Sequence, residues 1–116
     1  MLTNIVGNSN LVNLAQVGDD NRFALSDAGF GTANTALISG NANMININQG
    51  AADNQIWFDL VGSDNTINID QTNDLNVTKL DVDGDMNNAN VLQSGMSDAA
   101  NVTIMGNGNS STITQQ

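Results

Sequence analysis

An asparagine, or a residue standing in for it, returns at every eleventh position of this chain: Asn10, Asn21, Thr32, Asn43, Asn54, Asn65, Asn76, Asn87, Asp98 and Asn109. Three residues ahead of each lies Gly7, Gly18, Gly29, Gly40, Ala51, Gly62, Asn73, Gly84, Gly95 or Gly106. The ten copies run without insertion or deletion. An irregular globular core has no use for such a beat. A stacked architecture requires it, because each unit must sit on a copy of itself.

Within a unit, the second and fourth positions after the repeat Asn are the apolar ones. The fourth-position series reads Leu14, Leu25, Ala36, Ile47, Phe58, Ile69, Leu80, Val91, Val102 and Ile113. Between these, polar residues dominate, as at Asn46, Asn48, Asn68, Asp70, Asn90 and Thr112. Alternation with a period of two predicts a strand with one buried face. Each unit is then a strand of about six residues followed by a Gly-x-x-Asn turn. Here Gly is expected to supply positive φ, while Asn tolerates the left-handed region. No stretch shows the i, i+3, i+4, i+7 pattern of an amphipathic helix.

A 22-residue beat lies over the first. At the sixth position Gln49, Gln71, Gln93 and Gln115 occupy alternate units, and Ile38, Leu60, Val82 and Ile104 occupy the others. The Gln-bearing units carry Asn21, Asn43, Asn65, Asn87 and Asn109. Identical amides stacked at a strand spacing of about 4.8 Å can bond to one another in ladders, which offsets the cost of burying them. The expected fold is all-β, a single domain over residues 1–116. It is a flat two-sheet β-solenoid of about five two-strand turns, stacking further into cross-β fibres. Residues 1–35 are expected to be its less regular end. There, Ile5 and Asp27 stand where the longer beat calls for Gln, Gln16 stands where it calls for an apolar residue, and Gly29-Phe30-Gly31-Thr32 lacks the Asn.

Chemistry has little to work with. The chain holds no His, Cys, Tyr or Glu, so its serines have no histidine base to activate them. No enzyme activity, cofactor or metal is expected. Asp81-x-Asp83-Gly84-Asp85 resembles part of a calcium loop but lacks its order and its Glu. Twelve Asp against Arg22 and Lys79 give a net charge of -10, which argues against nucleic acid and anionic membranes as partners. No apolar run is long enough to span a membrane, and no signal peptide is visible. In 22-residue steps Asp19 meets Asn41, Asp64 meets Met86 and Asp74 meets Met96, so like charges are mostly kept apart. Asp59 and Asp81 are the exception, with Lys79 on the same face and Trp57 one step below it, in reach of a cation–π contact.

Gln16-Val17-Gly18-Asp19-Asp20-Asn21 and Ile69-Asp70-Gln71-Thr72-Asn73-Asp74-Leu75-Asn76 resemble the curlin repeat, written around Gln-x-Gly-x-x-Asn. The resemblance covers nearly the whole chain. It departs where Ile, Leu or Val replaces Gln in alternate units, and where Ala51 and Asn73 replace Gly. The resemblance implies a secreted subunit of curli-type functional amyloid, located in cell-surface fibres of the biofilm matrix. It also implies a nucleator and a secretion machinery as partners. Independently of it, a solenoid with open strands at both ends is a template for its own kind, so the end turns are the expected binding site. The alternative is a discrete adhesin or ice-binding module that does not polymerise. Ice binding would call for an outward rank of Thr, and neither Asn13, Thr35, Trp57, Lys79, Asn101 nor Ala24, Asn46, Asn68, Asn90, Thr112 supplies one.

Overall fold

The computed structural model describes residues 2–24 and 35–116. Its strands are β1 (Leu2–Val6), β2 (Leu11–Gln16), β3 (Arg22–Ala24), β4 (Thr35–Ser39), β5 (Met44–Gln49), β6 (Gln55–Val61), β7 (Thr66–Gln71), β8 (Val77–Asp83), β9 (Asn88–Gln93), β10 (Ala99–Met105) and β11 (Ser110–Gln115). One sheet, A, runs β1-β4-β6-β8-β10 with β3 also on β6, and the other, B, runs β2-β5-β7-β9-β11. Every pairing is parallel and in register. The chain is therefore a β-solenoid in which each level takes one strand from each sheet, save the level that β3 and β4 share, and the described strands stack in five levels.

The alternating pattern sets which face is buried. In β7, Ile67, Ile69 and Gln71 point inward between half-buried neighbours, and β6 repeats this with Ile56, Phe58 and Leu60. Phe58, Leu80 and Val102 form one internal rank of sheet A, and Ile38, Leu60, Val82 and Ile104 form another. Leu14, Ile47, Ile69, Val91 and Ile113 form the matching rank of sheet B. Each fully buried Ile, Leu or Phe contributes about 1.5–3 kcal/mol against its exposed state. Leu14 and Ile113, on the end strands, are only partly buried.

The N-terminal levels depart from the expectation in an informative way. From β5 onward, stacked residues are 22 apart in sequence, but β1, β2 and β3 sit 33 residues from their partners. Ala24 lies opposite Trp57 and Leu37 opposite Asp59, so thirteen steps of chain advance only two steps on β6. β3 and β4 thus share one level, and one extra half-unit of eleven residues is passed over between them. Because the excess equals one half-unit, the 11-residue beat stays in phase while the 22-residue beat inverts. Residues 2–24 still pair parallel and in register, at a 33-residue offset, and β3 spans only Arg22–Ala24. Ile5 stands on Ile38, and Gln16 on Gln49. Leu25, Asp27, Gly29 and Thr32 lie outside the described residues.

Candidate functional site

Several polar ladders tie level to level. In the first, Gln16 Nε2 donates to Gln49 Oε1 (2.6 Å), Gln49 to Gln71 (3.0 Å), Gln71 to Gln93 (2.9 Å) and Gln93 to Gln115 (3.0 Å). Each Gln from 49 onward also donates to the carbonyl of the residue opening the facing strand: Arg22, Gln55, Val77 and Ala99. Gln49, Gln71 and Gln93 are wholly buried, and these two bonds from each Nε2 meet their donor needs.

The second ladder runs along the arch that follows sheet A. The backbone N–H of Asn43 donates to Asn10 Oδ1, Asn65 to Asn43, Asn87 to Asn65 and Asn109 to Asn87, at 2.8–3.0 Å. Asn10 takes the place foreseen for Asn21. The passed-over half-unit moves Asn21 to the opposite arch, where Asn21, Asn54 and Asn76 accept in turn from the N–H of Asn54, Asn76 and Asp98. Asn10, Asn43 and Asn65 Nδ2 also donate to the carbonyls of Gly40, Gly62 and Gly84 on the next level.

The third ladder was not foreseen. It uses the residue just after the arch glycine: Asn8 N–H donates to Asn41 Oδ1, Asn41 N–H to Ser63 Oγ, Ser63 N–H to Asp85 Oδ1, and Asp85 N–H to Asn107 Oδ1. The signal was in the sequence, as an unbroken run of short polar acceptors at Asn8, Asn41, Ser63, Asp85 and Asn107. Asp85 therefore spends a carboxylate oxygen on the backbone, and among the described residues no acidic cluster is placed to hold a metal ion.

Turn geometry corrects a further assignment. Gly7, Gly18, Gly40, Gly62, Gly84 and Gly106 have positive φ, as expected. The repeat Asn does not: the left-handed residue is the one before it, at Ser9, Asp20, Ala42, Asp53, Asp64, Leu75, Met86 and Ser97. A Cβ on Gly40, Gly62 or Gly84 would overlap the carbonyl of Gly62, Gly84 or Gly106 above it. Close passage of the backbones, as much as φ, requires glycine there.

On the outer face of sheet A, Asp59 lies opposite Asp81, and Trp57 opposite Lys79. Burial raises the Asp59 pKa, and the charges of Asp81 and Asp83 add to the rise, against a lowering by the Leu60 N–H. The inverted phase also brings Asp20 to the level beside Asp53, a second like-charge pair. The outer face of sheet B is nearly neutral. There Asn13, Asn46, Asn68 and Asn90 chain their amides at 2.7–2.9 Å, and a groove of about 830 Å³ runs beside them.

Both ends are open. β1 and β10 each have one neighbour in sheet A, and β2 and β11 each have one in sheet B. No helix among the described residues is long and apolar enough to cross a membrane. No protein-family model, curated protein or solved structure matches this chain.

Proposed function

We propose that this chain is a structural subunit that assembles with copies of itself, end to end, into extracellular fibres of the curli type. The observation that carries the reading is the open edge at each end of the stack, β1 and β2 at one and β10 and β11 at the other, among the described residues. An exposed parallel edge with unspent N–H and C=O groups is a template for another strand. A level added from a second copy would extend the same buried ranks and amide ladders at the same spacing. Absence of His, Cys, Tyr and Glu favours this structural role over an enzymatic one. Export through a dedicated machinery, a separate nucleator and a place in the biofilm matrix rest on the curlin-like motifs alone.

The test is fibre diffraction with negative-stain microscopy on protein exchanged out of denaturant and left quiescent. Thin unbranched fibres with reflections near about 4.7 Å along the axis and about 10 Å across it are the expected result. A soluble β-rich monomer that never polymerises would refute the proposal and leave the discrete adhesin or ice-binding module.

A further inference from the structure

The ladders have a direction, and so do the ends they leave. In the Gln ladder the amide nitrogen always donates toward the C-terminal level. Gln115 spends one N–H on the Ala99 carbonyl, which leaves the second for the level above, while Gln16 Oε1 faces the level below. In the Asn ladder the oxygen accepts from the C-terminal side, so Asn109 Oδ1 is the open acceptor and the Asn10 N–H the open donor. The third ladder leaves the Asn107 N–H at one end and Asn8 Oδ1 at the other. At all three positions a donor at one end matches an acceptor at the other.

The level count completes the match. Wound without interruption, the chain would carry eleven half-units, or five and a half levels, and its first and last strands would fall in the same sheet. Ile5 would then face Gln115 across any junction. Passing over the half-unit between Ala24 and Leu37 leaves five whole levels, with β1 opening sheet A and β11 closing sheet B.

We infer that two copies join head to tail by one whole level, β10 of one against β1 of the next and β11 against β2, with Gln115 donating to Gln16, Asn10 to Asn109 and Asn107 to Asn8. The passed-over half-unit is what sets this parity. The inference rests on the end-to-end stacking proposed above and adds its polarity and register. A tail-to-tail contact would set the Gln115 N–H groups against each other, and a half-level contact would end the Gln ladder on Ile5.

Cysteine pairs read the junction directly, because the chain has no cysteine of its own. Ala15 belongs to the outward rank Ala15, Asn48, Asp70, Leu92, Thr114, and Asn4 to the rank Asn4, Leu37, Asp59, Asp81, Thr103. Ala15, Asn4, Thr103 and Thr114 are exposed, so substitution there leaves the core intact. Within one copy each tested pair is four or more levels apart or lies on opposite sheets. Across an in-register junction the Cα atoms would be about 4.8 Å apart, within the disulfide range of about 4.4–6.8 Å.

Fibres of full-length Ala15→Cys/Thr114→Cys and of Asn4→Cys/Thr103→Cys, oxidised after assembly, are expected to give covalent ladders of many subunits on denaturing, non-reducing gels. Asn4→Cys/Thr114→Cys and Thr114→Cys alone are expected to stay monomeric. A ladder from Asn4→Cys/Thr114→Cys would establish the half-level junction, and dimers from Thr114→Cys alone a tail-to-tail one. Either overturns the inference, as does the absence of ladders from diffracting fibres of the first two variants. Absence of fibres from the unmodified chain would instead overturn the stacking proposal itself.

Discussion

The two edges of the solenoid, where the chain turns from one sheet to the other, are built on different principles. The arch leaving sheet A has glycine at every level, Gly7, Gly40, Gly62, Gly84 and Gly106, all with positive φ. The arch leaving sheet B reads Gly18, Ala51, Asn73 and Gly95, and among these only Gly18 has positive φ. In the first arch the backbone of one level passes against the carbonyl of the next, and two polar ladders run beside it. In the second, the Asn21, Asn54 and Asn76 ladder still ties levels together, but side chains also close the turn within a level: Asn76 Nδ2 donates to the Asn73 carbonyl, and the Gly95 N–H to Asp98 Oδ2. Where the backbone of one level passes close against the next, glycine is fixed. Where side chains share in closing the turn, the glycine position drifts and acidic residues collect, as at Asp19, Asp20, Asp53, Asp74 and Asp98.

Exchanging residues between the arches should produce the largest effect. Gly62→Ala puts a Cβ into the Gly84 carbonyl at a φ of 140°. Strain of about 1–3 kcal/mol for the backbone, with the clash added, should destabilise the chain by more than about 3 kcal/mol. Ala51→Gly, at the corresponding point of the other arch, should cost under about 1 kcal/mol. Denaturant midpoints of the soluble monomer, taken before assembly, measure both. Equal losses would mean that the arches do not differ in kind.

A smaller contrast is expected between two buried asparagines. Asn65 Oδ1 accepts the Asn87 N–H, and its Nδ2 reaches Asn43 Oδ1 and the Gly84 carbonyl on neighbouring levels. Asn76 Oδ1 accepts the Asp98 N–H, but its Nδ2 stays within its own arch, on Asn73. Truncation of Asn65 to Ala leaves the Asn87 N–H without its acceptor and removes side-chain bonds to the levels both below and above. It should cost about 2–3 kcal/mol, against about 1–2 for Asn76→Ala. A larger loss at Asn76 would place the stronger coupling between levels in the variable arch.

Much of this organisation is legible in the sequence, because a strict period leaves few alternatives. The alternation around Ile67 and Ile69 fixes the buried face, and the spacing of Gln71 and Gln93 fixes the ladder. The inversion at the N-terminus was visible as well, in Ile5 and Gln16, but it read as irregularity. An excess of eleven residues is silent to an 11-residue beat, and only the partner of Gln16 reveals it. The left-handed position before each Asn is not legible in the sequence for another reason. It holds Ser, Asp, Ala, Leu and Met, and no composition signal marks a backbone angle that bonding between levels enforces at a cost of about 1–2 kcal/mol per residue.

The smallest effect concerns the two stacked carboxylate pairs, one on a flat face and one on the variable arch. Burial on sheet A raises the Asp59 pKa above its ordinary value of 3.8, helped by Asp81 and Asp83. The folded state therefore holds this proton more tightly than the unfolded chain does. Its contribution is fully present below the ordinary value and is lost as pH rises through the raised one. Solvent screening keeps the effect under about 1 kcal/mol. Asp53, beside Asp20, stands exposed at its turn. Asp59→Asn should then flatten the fall in monomer stability across this mildly acidic window and leave the variant the more stable protein at neutral pH. Asp53→Asn, at an exposed turn, is a surface substitution and should change stability by less than about 0.5 kcal/mol. Denaturant midpoints at a series of pH values between about 3 and 7 would decide it. A larger change in midpoint from Asp53→Asn than from Asp59→Asn would locate the governing repulsion on the arch, and would make the edge, not the face, the place where charge opposes stacking.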